Sequence, residues 1–104
     1  MRNGKKRCTH DLAAIKAAFS SEATLKRTKT SARDAGELGM DAEAVVAVIQ
    51  ALIYPRDFEK GATAHHDSRQ WHDSYKPMVG GRLLYLKFTL DETGEFLLTS
   101  FKEA

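Results

Sequence analysis

Cysteine is nearly absent from this chain. Cys8 is alone among 104 residues, so no internal disulfide can staple the fold, and a reducing cytoplasm is the compartment this suggests. Long apolar runs are missing as well. The longest, AVVAVIQALIY over 44–54, contains a Gln and is too short to span a bilayer, so no membrane role is expected. The opening MRNGKKRCTH is basic and lacks the apolar stretch of a secretory signal. There is no Gly-rich phosphate loop, no nucleophile elbow, and no C-x-x-C or H-E-x-x-H spacing. These gaps set aside P-loop chemistry, elbow-type serine hydrolysis and the common zinc sites.

What is present describes one ordinary globular domain over residues 1–104, with 42% apolar and 29% charged residues. Net charge is only +2, but it is unevenly spread. Residues 1–33 hold nine Lys/Arg against Asp11 and Glu22, a net of +7, and the remainder holds seven basic against twelve acidic residues, a net of −5. A basic half joined to an acidic half suits a protein that meets a polyanion on one side. The plainer alternative is a set of cations solvated on helix faces.

Residues 1–8 read as a flexible basic arm. Leu12, Ile15, Ala18 and Phe19 then form one stripe of a short helix, with Thr9 or Asp11 as its cap. TLKRTKT (24–30) has the composition of a short edge strand. Ser31 and Asp34 have the spacing of a variant capping box, and Gly39 is a plausible stop. The clearest helix starts at the cap Asp41, lines Val45, Val48, Ile49 and Leu52 on one face, and ends at Pro55. Beyond Pro55 the period changes from helical to alternating. DFEKGATAHH (57–66), WHDSYKP (71–77), RLLYLKFTL (82–90) and FLLTSFKE (96–103) read as four strands joined by turns short enough to force antiparallel pairing. Helices first and a strand meander after them make an α+β domain.

Strand parity separates core from solvent. Leu84, Leu86, Phe88 and Leu90 face the helices, leaving Tyr85, Lys87 and Thr89 opposite. Leu97, Thr99 and Phe101 form the second apolar set, leaving Leu98, Ser100 and Lys102 outward. Trp71 and Tyr75 are anchors, so His72, Ser74 and Lys76 face out. Phe58 and Lys60 share a parity whose facing stays open. If the register of the strands permits, the open face gathers Lys60, His72, Tyr85, Lys87 and Lys102. Such a group can grip a phosphate and move protons around it, and it lacks the outward carboxylate pair of a glycosidase.

Residues DFEK (57–60), the W-x-D-x-Y-x-P frame of Trp71, Asp73, Tyr75 and Pro77, YLK (85–87) and SFKE (100–103) occur in one order, below an ARDAGELGMD segment. Together they resemble the MqsR family of bacterial type II toxins over roughly residues 10–104. The resemblance implies a RelE-like fold and an mRNA interferase: a ribosome-independent, metal-free endoribonuclease favouring GCU-type sites in single-stranded message. It also implies a cognate antitoxin with a zinc-binding half and a helix-turn-helix half, so that operator DNA is met only through the antitoxin complex. By position it marks Lys60, Tyr85 and Lys102 as active-site residues. His72 falls where a family member carries Gln, which leaves the division of proton-transfer roles open.

Metal-free RNA cleavage needs a base for the 2′-OH, charge to stabilise a phosphorane and an acid for the departing 5′-oxygen. His72 is the expected base or acid near neutral pH. Lys60 and Lys102 would neutralise the phosphorane, and Tyr85 could orient the phosphate, donate a proton or stack on a base. Lys87 and the arm residues Lys5, Lys6 and Arg7 would hold flanking phosphates. His66 shares the parity of Lys60 and could touch RNA, while His65 is most simply solvated. Adjacent strand residues point to opposite faces, so His65 and His66 cannot both chelate one ion, and no metal or other cofactor is expected. Two rival readings remain: a non-catalytic nucleic-acid-binding or antitoxin-partnering module of the same fold, and a DNA-contacting tail at residues 1–8.

Overall fold

The computed structural model describes residues 4–63 and 70–104, without the side chains of residues 4, 5 and 63. The chain begins with a two-residue strand, β1 (Gly4–Lys5), taken from the segment expected as an arm. Three helices follow: α1 (Leu12–Ala18), α2 (Lys29–Glu37) and α3 (Ala42–Ala51). Then come β2 (Phe58–Thr63), β3 (Trp71–Tyr75), β4 (Met78–Val79), β5 (Arg82–Leu90) and β6 (Phe96–Glu103). This is the α+β class expected, with helices ahead of the main antiparallel sheet.

Local chemistry sets each helix. Asp11 caps α1 through the Ala13 N–H, and Gln50 of α3 closes the far end of α1 by donating to the Lys16 and Phe19 carbonyls at 2.7 and 2.9 Å. Asp41 caps α3, accepting from Ala44 N–H at 2.9 Å. That helix stops at Ala51, short of Pro55, with Leu52 extended at its end. In α2 the cap is Thr28, which accepts from Ser31 N–H, so the helix starts three residues before the Ser31 expected to open it. Gly39, at φ +75°, closes α2: its N–H bonds the Gly36 carbonyl and the Met40 N–H reaches Ala35, the paired bonds of a Schellman end.

Residues 24–30 are not the edge strand their threonines suggested. Glu22–Thr24 form a 3-10 turn, Lys29 and Thr30 are already helical, and only Arg27 makes a single parallel bridge, to Leu98. Helix capping by Thr28 outcompetes strand extension here. The bridge is still useful, because the Leu98 carbonyl accepts from both Thr28 N–H and the buried Ser31 hydroxyl, pinning α2 against β6.

The sheet runs β1-β2-β3-β5, with β6 on the far side of β5. β4 continues β3 along β5 past Pro77 in unchanged register, since Tyr75 pairs with Leu86 and Met78 with Leu83. Gly80 and Gly81, both at positive φ, make the two-residue turn that this hairpin needs. One face of the sheet carries Tyr75, Leu84, Leu86, Phe88, Leu98 and Phe101, all fully buried against Ile15, Phe19, Val45, Ile49 and Leu52. Phe19 stacks on Phe88 at 5.8 Å, and Tyr75 meets both Phe58 and Phe88 edge to face. Trp71, expected as a second anchor, is only half-buried.

Strict alternation fails in β6. A bulge lets Lys87 pair with Ser100 and the next residue, Phe88, with Leu98, skipping Thr99. Leu98 therefore turns inward, correcting the expectation that Leu97 would be buried and Leu98 exposed. Beyond the bulge Phe101 is in and Lys102 out, as expected. Thr89, expected in solvent, is buried and its hydroxyl donates to the Trp71 carbonyl at 2.9 Å. The bulge is testable by truncation. Leu98→Ala should cost about 2–5 kcal/mol and Leu97→Ala less than about 1.5 in urea unfolding; equal costs would contradict the inward turn of Leu98.

Candidate active-site cleft

β2 is set in place by Asp57 just before it. The buried Asp57 carboxylate accepts from Ile53 N–H at 2.8 Å and from the Arg56 guanidinium at 2.9 and 3.0 Å, and its carbonyl accepts from Lys76 N–H. The Arg56 bonds hold the Asp57 carboxyl below its usual range despite burial. A bulge between Phe58 and Lys60 follows, with Phe58 opposite Tyr75 and Lys60 opposite Ser74. It resolves the facing left open by parity: Phe58 packs on the core and Lys60 turns to the open face.

Register then assembles that face row by row. Ser74, Lys87 and Ser100 stand side by side on β3, β5 and β6, and β2 extends the row with Lys60. In the next row toward the Gly80–Gly81 turn, Tyr85 pairs with Lys102, whose ammonium lies 5.7 Å from the ring centroid. These rows floor a cleft of about 570 Å³ that also takes in Glu59, Lys76 and Glu103. A slightly larger hollow, about 640 Å³ beside α1, is lined by Phe19, Leu25 and Phe96. Its charges, Lys26 and Glu95, pair with each other, and a third hollow of about 580 Å³ holds His10, Asp91 and Glu92 but no lysine, so the smallest of the three is where the lysines and the Tyr85 phenol collect.

Glu59 is the carboxylate this cleft holds most closely. Its Oε1 accepts from the Ser74 hydroxyl at 2.9 Å and its Oε2 from the Lys76 ammonium at 2.7 Å. Burial pushes the Glu59 carboxyl up, but the Lys76 and Ser74 bonds, with the Lys60 charge, outweigh it and leave it below the usual carboxylate range. The same bond to Glu59 makes Lys76 hold its proton more tightly.

Of the residues expected from the sequence, Lys60, Tyr85, Lys87 and Lys102 are brought together in the cleft. His72 is on the same side of β3 as Ser74, paired across to Ala62, and does not line the cleft. It is half-buried, and its Nδ1 has no hydrogen-bond partner among the described residues. Burial, then the charges of Lys87 and His10, push the imidazole below its ordinary value, opposed by Asp73. Lys6 and Arg7 are exposed on the stretch after β1 and do not line the cleft. His65, His66 and the Lys5 side chain lie outside the described residues. Glu59 went unseen in the sequence because the bulge that turns it outward leaves no mark in DFEK. Lys76 had the right parity but was not gathered with the others.

Asp73 works from the opposite face. Fully buried, it accepts from Thr9 N–H at 2.9 Å and His10 N–H at 2.8 Å, fastening the approach to α1 onto β3. The Tyr75 phenol beside it is buried, which pushes its ionisation far up and leaves it a packing group.

Fold and cleft define a class first: a small α+β domain presenting lysines, a phenol and a carboxylate from the open face of its sheet. Residues 7–103 match the family described as "Motility quorum-sensing regulator, toxin of MqsA", and the chain belongs to that MqsR toxin family. It is 34% identical over 79 residues to the mRNA interferase toxin MqsR of Escherichia coli (strain K12), covering 76% of this chain and 78% of that protein.

The imidazole makes a stability prediction. Because folding lowers the proton affinity of His72, the unfolded chain binds the extra proton, so stability is full above pH 6.5 and falls as pH drops below it. His72→Gln should flatten that fall between pH 7.5 and 5, read as urea midpoints. Parallel curves for the two proteins would show that His72 is not desolvated.

Proposed function

We propose that this chain is the toxin of a type II toxin–antitoxin pair and an endoribonuclease that cuts single-stranded mRNA without the ribosome and without a metal. The observation that carries the reading is the convergence of Lys60, Tyr85 and Lys102 on one cleft in a chain of the MqsR toxin family, one relative of which is named an mRNA interferase.

RNA enters with a scissile phosphate between the lysines. Lys60 and Lys102 neutralise the charge that builds on the phosphorane. Tyr85, held beneath the Lys102 ammonium, orients the phosphate or a stacked base. The 2′-OH loses its proton to a base on this face, for which His72 is the candidate from the sequence, and attacks phosphorus in line. The P–O5′ bond breaks, leaving a 2′,3′-cyclic phosphate and a 5′-OH. Lys87, with the stretch carrying Lys5, Lys6, Arg7 and the residue His66, takes flanking phosphates. A single strand fits because its bases splay and its 2′-OH can reach in-line geometry. GCU-type sites, and an antitoxin with zinc-binding and helix-turn-helix parts through which the pair meets operator DNA, belong to this reading.

The position of His72 off the cleft favours one rival, a non-catalytic RNA-binding or antitoxin-partnering module. Purified protein, a single-stranded RNA and excess EDTA separate the two. Cleavage should persist under chelation and fall about 10²–10³-fold in Lys60→Ala or Lys102→Ala, the usual cost of losing one transition-state donor. Tight binding with no product would select the non-catalytic module, and loss on adding EDTA would move the case to a metal enzyme. Lys87→Gln should flatten the salt dependence of binding by about 0.7 in the log–log slope, one phosphate contact on a single strand.

A further inference from the structure

Glu59 is assigned by neither the sequence motifs nor the family. As the residue between Phe58 and Lys60 where the register shifts, it projects into the cleft instead of taking a place in the regular ladder. Its two oxygens are engaged separately, Oε1 by the Ser74 hydroxyl and Oε2 by the Lys76 ammonium. The Glu59 side chain is 27% exposed and that of Lys76 40%, so their pair is open to water and to competing ions. A phosphodiester entering among Lys60, Lys76, Lys87 and Lys102 competes directly for the Lys76 ammonium. Once Lys76 turns to the phosphate, the carboxylate keeps its Ser74 bond and presents a vacant Oε2 to the bound backbone. His72 offers nothing comparable, since it lies outside the cleft lining with its Nδ1 buried.

We propose, on the endoribonuclease reading above, that Glu59 is the general base of this cleft and that Lys76 masks it until an RNA phosphate draws the ammonium away. The step balances as follows. Oε2 takes the 2′-OH proton, the 2′-oxygen forms its bond to phosphorus, and the P–O5′ bond breaks. The leaving oxygen takes a proton from the Lys60 or Lys102 ammonium, and water restores both groups. The charged and titratable groups facing Glu59 are Lys60 on its own strand, Lys76 after β3, Tyr85 and Lys87 on β5, and Lys102 and Glu103 on β6. Cations predominate among them, which favours the ionised form of the carboxylate.

The test is single-turnover cleavage of a defined single-stranded RNA with the full chain in excess and its folding checked by circular dichroism. Protein is saturating for the rates and below Kd for the pH profile from pH 4 to 9, so that the profile reports the RNA-free protein. Glu59→Gln should slow cleavage about 10²–10³-fold. RNA Kd should stay unchanged or tighten, because a competing anion is gone. The wild-type acid limb should lie below pH 4.5, the ordinary carboxylate value. Lys76→Gln removes the ammonium that depresses Glu59 and should move that limb to higher pH. A Glu59→Gln protein that cleaves at the wild-type rate, or that loses only affinity, overturns the assignment while leaving the endoribonuclease reading intact. So does a limb near pH 6.5 that vanishes in His72→Ala. If Glu59→Gln does not fold, an acid limb unmoved by Lys76→Gln overturns it equally. A wild-type chain that cleaves nothing removes the endoribonuclease reading and the base together.

Discussion

From Leu84 to Phe88, β5 buries only one of its faces, and the rest of the molecule is arranged around that constraint. Leu84, Leu86 and Phe88 are fully buried under the helices. Because successive side chains alternate, Tyr85 and Lys87 have to emerge on the other side. β3 and β6 flank this strand, so their registers decide what stands next to Tyr85 and Lys87. The core thus orients the cleft: the hydrophobic burial that stabilises the domain is also what holds its lysines on one open surface. Asp73 reinforces the division by spending a buried carboxylate on the backbone ahead of α1.

Two bulges then adjust what alternation alone would give. In β2 the irregularity lets Phe58 join the aromatic cluster with Tyr75 while Lys60 joins the lysines, which a regular strand could not do with two residues of the same parity. In β6 the skipped Thr99 turns Leu98 into the core without displacing Lys102 from the cleft. Both irregularities border the cleft, where an extra residue re-aims side chains at modest cost to pairing.

Lysines this close repel one another, and the cleft contains the offset. Glu59 ties down Lys76, and the Tyr85 ring lies under the Lys102 ammonium. Neither contact is strong on an exposed surface. Membership of the MqsR toxin family and a cleft of this chemistry point the same way, though they rest on different observations.

The sequence by itself determined the elements with a strong period and the order they come in. The stripe of Val45, Val48 and Ile49, the caps Asp11 and Asp41, the Gly80–Gly81 turn and the full extents of β5 and β6 were all legible, since each depends on neighbours a few residues away. The same local logic placed Tyr85, Lys87 and Lys102 in one group, while Lys60, whose facing parity left open, joined them through the β2 bulge, and the ordered motifs named the family. Where competing local signals had to be ranked by distant contacts, it misled: residues 26–28 follow Leu98 as a bridge rather than a strand, and Leu98 displaces Leu97 from the core. Tertiary structure alone decided the bulges, the position of His72 outside the cleft and the entry of Glu59 into it. A bulge arises from the fit between two strands and a core, and neither strand records that fit in its own residues.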